Sequence, residues 1–413
     1  MRVLWLVLLG LLWAMPSWAF LSDQNVHPMP ASPPSLPAAG STAIDPTFGT
    51  TIMRVTDSGD SSSDCTNSYS NQPALNVNNS KIRAICTVGV SPRFKVWDFN
   101  AASMTRSNGR IQTNIPPGLQ EYGAQWSRTT SNKFYAVGLK ALYEITIPDG
   151  SSTTYTNTLI RDFSANFTGT LITQMSMSDN GDVFAFHYVN GGVSTGYIAY
   201  KRSTNTILLN VSNEGAINEV EIDKSGRYLV AVKDSGDADV WDLQAGPTEI
   251  HIAPTLSINH RGMGNGIAAG ACNTRRLCVR NLATPNSVTF TLPADSWSYS
   301  TQQDHFSMTG TDAWMTASRY HKNAGAVSNA FDNEIVQIAT DGSNQVRRIA
   351  HHHAVVVNQD YAALPKASVS PDGSFITFTS NWGNPSGRRD LYLARVQSID
   401  ATAPTAPSNI RVQ

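Results

Sequence analysis

Nine histidines are spread along the chain, three of them consecutive as His351, His352 and His353. Neutral imidazole binds divalent cations and moves protons near neutral pH. No His-Glu-x-x-His, Cys-x-x-Cys, Gly-x-Ser-x-Gly or phosphate-cradling P-loop accompanies them. Any site must therefore be assembled by the fold from residues far apart in sequence. His260, His305 and His353 form the candidate metal set, with Mn, Ca or Zn as the cation such donors would take; no other cofactor is expected. Glu219 and Glu221 share one segment and are expected on its opposite sides, so no carboxylate pair for glycoside hydrolysis is chosen.

The elements that must position these residues follow from composition and spacing. The chain has 413 residues, 30 Lys+Arg against 31 Asp+Glu, and 15% charge. Without a basic excess to displace counterions, nucleic acid is not an expected partner. With 41% hydrophobic residues the chain is not a disordered one. Met1-Arg2, the apolar run Val3 to Met15 and Ser17-Trp18-Ala19 read as a secretory signal over residues 1–19, cleaved after Ala19. A secreted or periplasmic protein with no membrane span in the mature chain is expected. Residues 20–47, with Pro28, Pro30, Pro33, Pro34, Pro37 and Pro46, read as an extended linker rather than packed structure. Residues 399–413 read as a second, Pro/Thr-rich linker.

Between the linkers, residues 48–398 carry a repeat of about fifty residues. The clearest copy is Ala367 to Ser370, the turn Pro371-Asp372-Gly373, then the alternating strand Phe375 to Ser380 and a third strand Asp390 to Val396. Weaker copies start near Leu75, Gln125, Ser176, Ile217, Met263 and Phe306, which makes seven with the last. Fourth strands follow at Thr154–Ile160, Thr206–Val211, Thr248–Ile252, Ser287–Leu292 and Gln345–Ile349. The last copy has none, and Thr50 to Thr56 has the matching pattern. The fold class expected is all-β, a seven-bladed β-propeller closed by this N-terminal outer strand in the last blade. Two β-sandwiches, or a ring of six or eight blades, are the alternatives.

Aligning the turns aligns the other ends of the inner strands. Counting seven residues back from each turn gives Gln72, Gln125, Gln174, Glu219, His305 and Lys366, and six back in the shortened copy gives His260. None is apolar. They predict a ligand-binding pore mouth suited to sugar hydroxyls or carboxylates, with an oligosaccharide or a protein as partner. A merely wet channel would also be polar. Loops on the same face are expected to carry His187, His321, Arg319, Tyr320, Trp382, Arg388 and Arg389. Trp382 could stack on a sugar, and Arg388 could meet a carboxylate. A triple-histidine tract cannot turn wholly inward and is read as exposed.

The Ser370-Pro371-Asp372-Gly373 turn and its strands resemble the blade of TolB-like and WD40-like propellers. With Phe378-Thr379-Ser380-Asn381 they also resemble, more distantly, oligogalacturonate lyases, whose seven-bladed fold holds a metal through His and Gln before the inner strands. That resemblance implies His260, His305 and one of His351 to His353 as ligands, and Arg319 or Arg388 beside a uronate carboxylate. The tail from Asp400 to Val412 resembles the opening of a fibronectin type III module.

Cys272 and Cys278 flank a four-residue hairpin turn, and Cys65 enters the first copy where Cys86 ends a strand, so Cys65–Cys86 and Cys272–Cys278 are the expected disulfides. Two functions remain open: an exported binding or scaffold module for a carbohydrate or other polar ligand, or a metal-assisted uronate lyase. A purely structural ring is the third reading.

Overall fold

The computed structural model describes residues 20–396 except 89–90, 245, 253–257, 259, 274–275, 298–301 and 322–328. The expected signal and the C-terminal linker lie outside the described residues. Blade one takes β3 (Cys65–Thr66), β4 (Lys81–Val88), β5 (Ser91–Asn100) and β6 (Thr105–Ile111), after β1 (Thr42–Ile44) and β2 (Thr51–Arg54) have passed. Blade two is β7 (Leu119–Trp126), β8 (Lys133–Gly138), β9 (Ala141–Thr146) and β10 (Thr156–Asp162). Blade three is β11 (Leu171–Met177), β12 (Val183–Asn190), β13 (Val193–Lys201) and β14 (Thr206–Ser212). Blade four is β15 (Ile217–Ile222), β16 (Tyr228–Lys233), β17 (Ala238–Asp242) and β18 (Thr248–Ile252). Blade five is β19 (Arg261–Met263), β20 (Ile267–Asn273), β21 (Arg276–Asn281) and β22 (Val288–Phe290). Blade six is β23 (Gln302–Ser307), β24 (Trp314–His321), β25 (Glu334–Ala339) and β26 (Val346–His351). Blade seven holds β27 (Ser368–Val369), β28 (Phe375–Ser380) and β29 (Asp390–Arg395). The chain is an all-β, seven-bladed propeller.

Each sheet is antiparallel within the blade, and its middle strands are buried on both faces, as in Trp314–His321 and Phe375–Ser380. Apolar residues of one blade pack on those of the next, so Ile267, Val279 and Leu277 of blade five meet Phe306, Met315 and Val336 of blade six. Such stacking gives every two-sided sheet a covered face. Among the described residues no helix is long and apolar enough to cross a membrane.

Strand β2 is hydrogen-bonded to β29, with Ile52 opposite Ala394, Met53 opposite Leu393 and Arg54 opposite Tyr392. Strand β1 then pairs outside β2. Beside blade one, Asp390 of β29 also meets Cys65 in a parallel bridge.

The Pro-rich segment departs from the expected linker. It has almost no ladder, yet it is docked. Leu21 bridges to Arg348, and Arg348 Nη1 donates to Asp23 and to the carbonyl of Asn25. Trp382 Nε1 donates to Pro34 O at 2.7 Å, and Arg54 Nη1 donates to Pro37 O at 3.1 Å. Proline-rich backbone leaves its carbonyls unpaired, and these are the groups the propeller captures. Both expected disulfides are present, Cys65–Cys86 and Cys272–Cys278.

Candidate pore-mouth site

Shared contacts link the seven register positions, most of them buried. Gln72 leads into blade one, Gln125 lies in β7, Gln174 in β11, Glu219 in β15 and His305 in β23; His260 and Lys366 precede β19 and β27. Gln72 and Gln125 both donate through Nε2 to Met175 O, at 3.4 and 3.0 Å. Tyr69 donates its phenol hydrogen to Glu219, and its ring meets His305 edge-on at 5.2 Å. His305 stacks on His260 at 4.4 Å. Lys366 Nζ lies 4.4 Å from the ring centroid of Tyr361 and 5.7 Å from that of Tyr122. Gln72, Gln174 and Glu219 line one small cavity of about 10 Å³ with Tyr69 and Tyr122.

Local backbone aims two of these side chains. Gln174 has φ +49° and Lys366 φ +43°, left-handed values that few side-chain-bearing residues adopt. Gln174 sits in a β-bulge between Thr173 and Ser176, which takes it out of the ladder and re-aims it at the pore. Left-handed non-glycine residues cost on the order of 1 kcal/mol and concentrate at ligand sites.

The expected separation of Glu219 and Glu221 is overturned. Strand side chains repeat every two residues, so positions two apart share a face. Arg261 lies 3.4 Å from Glu219 through Nη1 and 2.9 Å from Glu221 through Nε, and its side chain is fully buried. Asn71 Nδ2 donates to Glu221. Burial raises the Glu221 carboxyl to about 7; Arg261 opposes this and Glu219 adds to it. Burial also lowers His305 well below the usual imidazole range, helped by His260 and Lys366, and lowers His187 to about 4 against the pull of Glu219. Both rings are neutral near pH 7. Both nitrogens of His305 and both of His187 are buried without a hydrogen-bond partner. A buried imidazole with neither nitrogen satisfied marks a place for a donor–acceptor ligand or water.

Sequence reasoning missed Tyr69, Asn71, Tyr122 and Arg261. The first three lie off any repeat register, and Arg261 is adjacent to the His260 position the register selected.

The metal set does not converge. His260 Nδ1 is within 2.5 Å of Asp304 O, and its ring lies flat on His305 rather than beside it. His353 instead meets Trp382 at 4.7 Å and His351 at 6.1 Å. Among the described residues no group of three His, Cys, Asp or Glu is placed to hold a metal ion. These three imidazoles therefore do not fit one cation. The triple-histidine tract is buried, not exposed. His351 Nε2 reaches His27 O, and His352 Nε2 reaches Arg319 O, both at 3.0 Å.

Three further expectations are corrected. Trp382 is only 6% exposed, stacked on Tyr392 at 4.7 Å and capped by Pro34, so no face is open for a sugar. Arg388 donates to Asp390 and to Ser61 O, at 2.8 and 2.7 Å, so its Nε and Nη1 are held by the protein rather than offered to a ligand. Arg319 is buried on Asp332, with His321 on the second carboxylate oxygen.

Below the mouth, a cavity of about 30 Å³ is lined by Asn71, Gln125, Ser176 and Glu221, and reaches Arg128 and Asp179 toward the turn end. Nε and Nη1 of Arg128 are without hydrogen-bond partners. The space suits one or two waters, not a larger solute.

No family model matches the chain, and no curated protein matches it in sequence. Solved structures match it in fold. The oligogalacturonate lyase of Vibrio parahaemolyticus is 13% identical with a TM-score of 0.62, over 89% of this chain and 99% of that one. An oligogalacturonate lyase in complex with manganese is 13% identical with a TM-score of 0.63, over 89% and 99%. A chain of the mitotic checkpoint complex is 12% identical with a TM-score of 0.52, over 91% and 99%. At such identities the likeness is one of fold.

Proposed function

We propose that this protein is an exported binding module whose pore mouth holds a small, hydroxyl-rich ligand such as a sugar unit. The observation that carries the reading is His305: a neutral ring at the mouth, buried, with neither nitrogen partnered, among Tyr69, Glu219 and Lys366. A hydroxyl can donate to one imidazole nitrogen and accept from another, and the rings of Tyr122 and Tyr361 give sugar faces an apolar seat. The test is a glycan array read with the wild type and with His305→Ala, metal content being measured on the same samples. Binding lost in His305→Ala with unchanged melting supports the reading; a wild type that holds no glycan sinks it.

A second reading is action on uronates, which the neighbours' names suggest and Glu221 favours. A carboxyl held near 7 can take up a proton from a substrate carbon at neutral pH. The chain is expected to release product with a carbon–carbon double bond from oligogalacturonate, seen as new ultraviolet absorbance, in the presence of Mn. No such product from wild type would retire this reading alone.

A further inference from the structure

The segment Asn67–Gln72 lies across the pore mouth and belongs to no strand ladder beyond a single bridge between Tyr69 and Gln72. It is fixed at one end by the Cys65–Cys86 disulfide and at the other by the bridge from Leu75 to Ile82. Between these anchors its side chains span the ring. Tyr69 and Asn71 donate to Glu219 and Glu221 of blade four, and Gln72 donates to Met175 O of blade three. Asn67 holds Lys366 O and Thr379 on the far side.

The contacts are one-sided. The phenol of Tyr69 and the carboxamides of Asn71 and Gln72 give their hydrogens to two carboxylates and to the carbonyls of Tyr122 and Met175. The oxygens of the two amides, Asn71 Oδ1 and Gln72 Oε1, are buried with no partner, and so are both nitrogens of the neighbouring His305. A segment evolved only to fill the pore would be expected to satisfy these atoms, because each buried orphan costs about as much as a lost hydrogen bond.

We propose that Asn67–Gln72 is an internal occupant of the pore-mouth site, standing in for a neutral ligand with hydroxyl and amide groups, an N-acylated sugar in chemical class, which enters by displacing it. The proposal rests on the binding reading above and deepens it. The ligand's hydroxyl takes the place of the Tyr69 phenol on Glu219. Its amide takes the place of Asn71 on Glu221. A further hydroxyl satisfies His305.

The test uses the exported full chain with both disulfides intact. Ser176→Cys places a thiol in the cavity that Asn71 covers. Its rate of modification by a small methanethiosulfonate, followed by mass, reports opening without any ligand. In the Tyr69→Phe, Asn71→Ala background that rate should rise roughly a hundredfold, the effect of removing two charge-assisted hydrogen bonds at about tenfold each. Tyr69→Phe alone, which deletes one oxygen, should give a smaller rise and guards against a misfolded double variant. Calorimetric titration with N,N′-diacetylchitobiose should then show tighter binding to Tyr69→Phe than to wild type, since an occluding competitor has been weakened. An unchanged modification rate in folded variants overturns the displacement. Faster modification with weaker binding shows that the segment is part of the ligand's own wall and overturns the stand-in. Faster modification with no binding to either protein overturns the ligand class and the binding reading together, while the movement stands.

Discussion

Glu221 is a fully buried carboxyl whose surroundings hold it above the ordinary carboxylate range. It was visible in the sequence but read as facing away, an error of strand parity rather than missing information, because positions 219 and 221 share a face. The register could name Gln174, Glu219 and His305 because turn position and a two-residue repeat fix which end of a strand a residue occupies. Tyr69 and Asn71 were illegible because a loop has no period to count. Burial raises the Glu221 carboxyl from its ordinary 4.5 to about 7, so the folded state holds a proton that the unfolded chain has released between those values. Its contribution is complete below about pH 4.5 and is lost as pH rises through about 7. Wild type should therefore lose on the order of 3 kcal/mol relative to Glu221→Gln between those limits. Urea unfolding of both proteins at pH 5 and pH 8 checks this. A difference that does not change with pH would show Glu221 to be an ordinary carboxylate.

At the scale of elements, the Pro-rich segment shows what composition does and does not report. Over residues 20–47 the backbone forms one short strand, β1, and a bridge at Leu21. Composition said nothing of docking, because the docking uses free carbonyls that every extended backbone has. The receiving surface is specific. Gly383 has φ +81°, and a Cβ there would lie 2.9 Å from Cγ of Pro33. Gly383→Ala should cost about 1–3 kcal/mol through backbone conformation and this contact together. In thermal unfolding it should melt several degrees lower. Pro33→Ala in the same chain should return the steric part and leave the backbone part. Equal melting of Gly383→Ala with and without Pro33→Ala would mean that the segment detaches freely, and that Trp382 is then open to ligand after all.

At the scale of the whole molecule, the repeat was legible because each blade carries its own turn and alternation, and Thr248–Ile252 and Glu334–Ala339 fall on the strands expected. What no single repeat states is how the ends meet. Blade seven draws β2 from residues more than three hundred positions away from β29. The pairing is more than a ladder. Ile52, Met53 and Val55 are buried, Arg54 Nη2 meets Asp390 at 2.7 Å, and Thr56 Oγ1 donates to the other oxygen of Asp390 at 2.9 Å. Val55 N continues the contact to Leu391 O at 2.7 Å. Removing β2 would leave β29 as an unpaired apolar edge and Asp390 without two of its partners. We expect a chain beginning at residue 57 to aggregate, whereas one beginning at residue 47 keeps β2 and stays monodisperse at a lower melting temperature. Light scattering and thermal unfolding of the two truncations decide it. Because the β2–β29 pairing is a non-local contact with few local substitutes, a peptide of residues 47–58 added in trans should restore dispersion to the shorter chain. If the shorter chain is monodisperse without the peptide, β2 is an ornament on a ring already held by its other contacts.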